Sequence, residues 1–134
     1  MHEARKWALF GLLAGLSLVL IIYAVQPRVP QSLTTDEKDL KWYTEHDEAI
    51  KEASRTGKNV FMVFSASWCP ACQKLESETL QNTEVQRRLA EDFIAVKIDV
   101  DTSPALSSRY RIYGVPTVII LDPSGNEIGR REGY

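Results

Sequence analysis

Cys69 and Cys72 are the only two cysteines in the 134-residue sequence, and two residues separate them. Thiols at that spacing, where a strand hands over to a helix, read as a dithiol/disulfide couple. Exchange chemistry needs a thiolate nucleophile and a second thiol close enough to release the mixed disulfide. A free cysteine has a pKa near ~8.5, and at a helix N-terminus it falls to about 3.5–7.5. Unpaired backbone N–H groups and the helix dipole stabilise negative charge there. Cys69 sits at the expected start of such a helix, and Cys72 follows about one turn later on the same side. Pro70 falls just inside the helix start, where its missing N–H costs nothing. Cys69 is therefore expected to attack and Cys72 to resolve.

Other readings of the pair stay open. An inert structural disulfide is one, although a bridge closing so short a loop stabilises little. A Cu(I) site using both thiolates with Met62 or His46 is another. Two cysteines cannot form the multi-bridge framework of a small secreted scaffold. Nor do they supply a structural zinc site, which usually takes four Cys/His ligands; the only histidines are His2 and His46. A net charge of -2 lacks the basic face that nucleic acid requires, so no nucleic-acid partner is expected.

The elements that must position the pair follow from periodicity. Val60 to Phe64 is a continuous apolar run of strand length, suited to a buried parallel strand that delivers the chain to Cys69. Ala71 to about Leu80 reads as a helix with Leu75 and Leu80 inward. Upstream, Thr44 and Asp47 have capping-box spacing before a helix bearing Ala49, Ile50 and Ala53, which Gly57 closes. Downstream, Asn82 or Thr83 caps a short helix, and Phe93 to Val100 is a second strand. Ser103-Pro104 starts another helix and Thr117 to Leu121 is a third strand. Asp122-Pro123-Ser124-Gly125 is a turn, and Glu127 to Tyr134 should pair back as an antiparallel edge strand. Strands alternating with helices, then a hairpin, give an α/β domain with a mixed sheet over 42–134.

Before that domain, Trp7 to Val25 carries no charged residue. At ~1.5 Å per residue it spans about 28 Å, close to the ~30 Å hydrocarbon core. Trp7 and Tyr23 stand near its ends, where interfacial aromatics are expected, and Arg5 and Lys6 favour a cytoplasmic side for residues 1–6. An uncleaved transmembrane anchor over 7–25 is expected, lodged in the lipid bilayer. A cleaved signal peptide is the competing reading, against its shorter usual length and the bulky Ile22 near the best cleavage site. Either exports the domain. Residues 26–41, with Pro27 and Pro30, read as a linker.

Taken together, these segments resemble the thioredoxin superfamily. Trp68-Cys69-Pro70-Ala71-Cys72 is similar to its W-C-x-x-C motif, Val96 to Asp101 to its central strand and acidic turn, and Tyr110 to Thr117 to the segment carrying its cis-proline. The resemblance covers roughly residues 42–134, and with the anchor it is similar to membrane-tethered, extracytoplasmic bacterial thioredoxins. It implies a thioredoxin-like mixed sheet flanked by helices, and thiol–disulfide oxidoreductase activity on exported proteins without organic cofactor or metal. The resemblance prefers a reductase; oxidase or isomerase stays open. It also implies protein thiols and disulfides as partners, apocytochromes c among them, and a membrane electron donor or acceptor. The competing class is a non-catalytic binding module on the same scaffold, with a static disulfide or Cu(I) at the cysteines. Pro116 would be cis against the Cys69–Cys72 pair, Val115 would offer its backbone to an extended substrate, Trp68 would cover the disulfide, and Gly133 would sit beside the groove.

Two departures from the family pattern stand out. The buried acid that many thioredoxins carry six residues before the first cysteine is here Val63. Lys97, which would pair with that acid, is left without it. Resolution by Cys72 is then expected to rely on water, Lys97 or substrate for proton transfer, with Glu76 and Glu78 on a solvated helix face. The family's final helix is absent after Tyr134, so part of one sheet face would be bare in a fragment, or covered by the anchor region, the linker or another subunit.

Overall fold

The computed structural model describes residues 39–134. The expected anchor over 7–25, and all but the last few residues of the 26–41 linker, lie outside that range. Among the described residues no helix is long and apolar enough to cross a membrane.

Within this range the order is β1 (Trp42–Tyr43), α1 (His46–Thr56), β2 (Asn59–Ser65) and α2 (Pro70–Leu75), followed by a π-helical turn (Glu76–Leu80). Then come α3 (Thr83–Asp92), β3 (Phe93–Asp99), α4 (Pro104–Arg109), β4 (Thr117–Leu121) and β5 (Glu127–Glu132). The strands form a five-stranded sheet in the order β1-β3-β2-β4-β5. β1, β3 and β2 run parallel, while β4 is antiparallel to both β2 and β5. This is the expected mixed sheet flanked by helices.

β2 is central because both of its faces are apolar. Val60, Met62 and Phe64 point to one side, where Ala49 and Ala53 of α1, Tyr110, Ile119 and Leu121 complete a core. Val63 and Phe61 point to the other, where Leu75, Leu80 and Leu89 arrive from α2, the π turn and α3. Alternation by two along the strand makes one chain segment serve both cores. Each fully buried large side chain contributes about 1.5–3 kcal/mol.

The helix ends show which local signals the fold uses. Gly57 closes α1 at φ 72°, and its N–H donates to Ala53 O. Asn82 caps α3, its Oδ1 accepting from the N–H groups of Glu84 (3.0 Å) and Val85 (3.3 Å). The capping box expected from Thr44 and Asp47 does not form: Glu45 holds the N-cap position of α1 with no side-chain cap bond. Asp47 instead bonds the His46 ring, which ties α1 to Tyr110. Two further elements differ from expectation. β1 adds a short parallel strand beside β3, and the helix through Leu80 loosens into a π turn after Leu75.

Replacing Asn82 with alanine leaves two amide donors of α3 without their cap. The expected loss is about 1 kcal/mol in urea unfolding, with an unchanged slope.

Candidate functional site

The site forms where β2 ends. Beyond Ser65 the chain crosses Ala66 to Trp68 and enters α2, with Cys69 in extended geometry at the N-cap (φ -90°, ψ 110°) and Pro70 at the first helical position. The Cys72 N–H donates to Cys69 Sγ at 3.1 Å, so an amide proton already points at the sulfur that would carry charge. Cys69 and Cys72 are joined as a disulfide with their Cα atoms 5.2 Å apart. Both are buried, at 3% and 5% exposure, in a small apolar cluster with Ala66, Val100 and Val115.

The second half of the site comes from the loop before β4. The Val115–Pro116 peptide bond is cis. Val115 O lies 3.5 Å from Cys69 Sγ. A disulfide sulfur has no proton to donate, so this is a contact in the oxidised form; the reduced thiol could donate there. Three groups fix the loop. Thr117 Oγ1 donates to Gly114 O (2.8 Å), the Gly133 N–H donates to Pro116 O (2.8 Å), and an Arg130 Nη2 proton goes to Tyr110 O (2.7 Å). Gly133 has φ +76°, while a Cβ added there would meet nothing within 4 Å. What that position requires is its left-handed backbone rather than a small volume.

Trp68 is 65% exposed, and its Nε1–H donates to Asp101 Oδ2 at 2.8 Å. It is therefore a surface ring pinned to the loop after β3, not a core aromatic. Tyr113, two residues before Val115, is 89% exposed. Sequence reasoning did not single it out; its place beside the cis-proline was the available signal.

The other side chains weighed as copper ligands lie elsewhere. Met62 is fully buried in the core shared with α1. Both His46 ring nitrogens are engaged, Nδ1 with Asp47 Oδ1 (2.7 Å) and Nε2 with Tyr110 Oη (2.8 Å). Neither belongs to the cluster around the cysteines. Burial pushes the Tyr110 hydroxyl above its ordinary pKa, so it stays a neutral partner for the imidazole at physiological pH.

Lys97 corrects one expectation. The parallel register sets it beside Val63, and the carboxylate it binds is that of Glu76, at the start of the π turn. Glu76 is thus turned toward the sheet rather than lying on a solvated helix face. Lys97 Nζ also sits 4.8 Å from the Trp42 ring centre. Glu78 keeps the expected surface position, accepting from Tyr134 Oη at 3.0 Å.

Comparison with known proteins places this geometry among relatives. Residues 46–134 match a family model described as a thioredoxin-like domain. The chain is 34% identical over 92 residues to a thiol:disulfide interchange protein DsbD of Ralstonia nicotianae, covering 66% of this chain and 15% of that protein. It is 30% identical over 89 residues to human spermatogenesis-associated protein 20, covering 66% of this chain and 11% of that one. The chain thus spans only a small part of the curated relatives it matches. Among solved structures, a thioredoxin from Thermus thermophilus superposes with a TM-score of 0.64 at 33% identity, over 71% of this chain and 76% of that one.

The clamp on the loop has a pH signature. The Arg130 guanidinium, bonded to Glu127 at 2.8 Å, holds the Glu127 carboxyl below the usual glutamate range. A lowered carboxyl pKa stabilises the fold above the unfolded value near ~4.3, and that stability is lost as pH falls through the folded value. In Glu127→Gln, chemical denaturation across that acid range is expected to show a shallower decline than in the native chain.

Proposed function

This chain belongs to the thioredoxin-like family, and from that premise we propose that it is a thiol–disulfide oxidoreductase with Cys69 and Cys72 as its exchanging couple. In the reducing direction the Cys69 thiolate attacks a protein disulfide, and one substrate sulfur leaves as a thiol after taking a proton from solvent. Cys72 then attacks Cys69, the mixed disulfide breaks, and the second substrate sulfur leaves with its electron pair. The substrate gains two electrons and two protons, and the chain ends in the Cys69–Cys72 disulfide. A dithiol donor must reduce that bond again before the next turnover.

The observation that carries this reading is the double engagement of Cys69 Sγ. It accepts the Cys72 N–H at 3.1 Å and lies 3.5 Å from Val115 O, at the cis-Pro116 loop. The amide favours the thiolate, and the carbonyl marks the strip of backbone where an extended substrate segment would lie. In the proposed complex Val115 and Pro116 align that segment, while Trp68 and Gly133 flank it. Burial of both cysteines is the one feature that favours the rival reading, a static disulfide on a binding scaffold.

The proposed setting is outside the cytoplasmic membrane. The uncharged run Trp7 to Val25, preceded by Arg5 and Lys6, supports an N-terminal anchor. The proposed substrates are disulfides of exported proteins, apocytochromes c included, with a membrane-embedded dithiol as the electron donor. Among the relatives, the name thiol:disulfide interchange protein fits this reading.

Two variants test it. Cys69→Ser is expected to lower insulin reduction by at least ~100-fold; native-level reduction in that variant would remove Cys69 as the attacking thiol, and a native chain that reduces no insulin would favour the scaffold reading. Cys72→Ser is expected to stall as a mixed disulfide, whose trapped partners can be identified by mass spectrometry. A membrane donor and apocytochromes support the reductase, and a broad set of newly exported proteins argues against it.

A further inference from the structure

We propose that a small thiol bearing an ammonium group enters the cavity beside Cys72 and reduces the Cys69–Cys72 disulfide by attacking the Cys72 sulfur. The inference rests on the reading of the two cysteines as the exchanging couple.

The two sulfurs have different neighbourhoods. Cys69 faces the cis-proline loop, its Sγ 3.5 Å from Val115 O. Cys72 lies on the wall of a cavity of about 550 Å³ that is open to solvent. Among the described residues, none of Trp68, Cys69, Val115 and Pro116 lines that cavity. A route to the disulfide through it therefore bypasses the cis-proline loop. Both polar backbone atoms of Cys72 are engaged, its N–H with Cys69 Sγ and its carbonyl with the Glu76 N–H. The side chain is what remains to meet a visitor. Cys72 is 5% exposed against 3% for Cys69, so burial does not favour attack at Cys69.

The choice of sulfur matters chemically. Exchange is faster when the departing thiol has the lower pKa. Attack at Cys72 expels Cys69, whose sulfur already accepts the Cys72 N–H at 3.1 Å. Attack at Cys69 would expel Cys72, to whose sulfur no described residue donates. The better leaving group thus sits behind the sulfur on the cavity wall.

Size and charge select the visitor. A cavity of about 550 Å³ takes a small molecule but not a folded partner. Its charged wall residues are Glu76, Asp99 and Lys97, two carboxylates against one ammonium. That balance favours an ammonium on the thiol and disfavours a carboxylate.

In the first step the small thiolate bonds to Cys72 sulfur, the Cys69–Cys72 bond breaks, and Cys69 leaves with the electron pair as a thiolate. A second small thiolate then attacks the sulfur of the bound one. A small symmetric disulfide departs, and Cys72 leaves with its electron pair and takes a proton. Two small thiols lose two electrons, and the couple gains them.

The oxidised full chain is mixed with cysteamine, quenched with N-ethylmaleimide and mapped by peptide fragmentation. Cysteamine is expected on Cys72 and maleimide on Cys69. Relative to a model peptide disulfide, the chain should prefer cysteamine over mercaptoacetate by about threefold, the size of an exposed ion pair. Ser77→Phe narrows the cavity from its exposed wall and is expected to slow reduction by cysteamine about tenfold, since exchange depends on access. Single-turnover insulin reduction by the pre-reduced variant should change by less than about twofold. Cysteamine on Cys69, a thiol preference equal to that of the model disulfide, or an equal loss in both assays overturns the proposal. So does a native cysteamine rate in both Ser77→Phe and Gln81→Trp. The underlying couple is tested separately: a native pre-reduced chain that fails to reduce insulin would remove the exchange reading, wherever cysteamine attaches.

Discussion

The pairing of Phe64 with Thr117 is the constraint on which the site depends. β2 and β4 run antiparallel, so the end of one lies beside the beginning of the other. The chain that leaves β2 carries Cys69, and the chain that enters β4 carries Val115 and Pro116. Residues 46 apart in sequence are therefore brought to 3.5 Å by ladder hydrogen bonds made elsewhere. A one-residue slip in that pairing would invert the faces of a whole strand, turning Met62 and Phe64 toward the core that Phe61 and Val63 fill. The burial of both β2 faces makes such a slip costly, so the core fixes the distance on which the sulfur chemistry relies.

The cis-proline loop is anchored from several directions at once. Arg130 reaches it from β5, Gly133 from the residues after that strand, and His46 from α1 by way of the Tyr110 hydroxyl. Tyr110 also packs against Phe64, with ring centres 5.7 Å apart. The loop is thus tied to the core and the sheet edge rather than to the cysteines alone. By contrast, the Arg87 network with Glu84 and Glu91 lies on the surface of α3. Arg87 and Arg88 hold the Glu84 carboxyl at a pKa of about 2, but exposed pairs of this kind add little to stability.

Much of this was legible in the sequence because it is local. The Cys-Pro-Ala-Cys spacing, the apolar run Val60 to Phe64, Gly57 at a left-handed cap and Asn82 before α3 are each decided within a few residues. Pro116 could be paired with the cysteines only through family resemblance, since nothing near it in sequence points to Cys69. What was missed is non-local. β1 is two residues long and has no pattern of its own; it exists because β3 offers an edge. The Thr44–Asp47 spacing promised a capping box, but the His46 ring and Tyr110 competed for the aspartate and the helix start. The Glu76–Lys97 pair joins two elements through a sheet register and a π turn, neither of which charge patterning along one helix reveals. The anchor over 7–25 and most of the linker lie outside the described residues, so the structure adds nothing to either.

The outer strand β5 has a bearing on company as well as on shape. Glu127, Arg130, Arg131 and Glu132 crowd one rim of the described sheet, and a register shift interrupts its pairing near Leu121. At the opposite rim β1 is only two residues long. Charge, irregularity and shortness all discourage a foreign strand from zipping onto a sheet edge. Under the proposed function the chain would meet partly unfolded proteins, and such meetings carry a risk of co-aggregation. In the proposed complex, guarded rims would leave the Val115 backbone as the place where an extended visitor is welcome, so that contact with a misfolded client would end in exchange rather than in a shared β-aggregate.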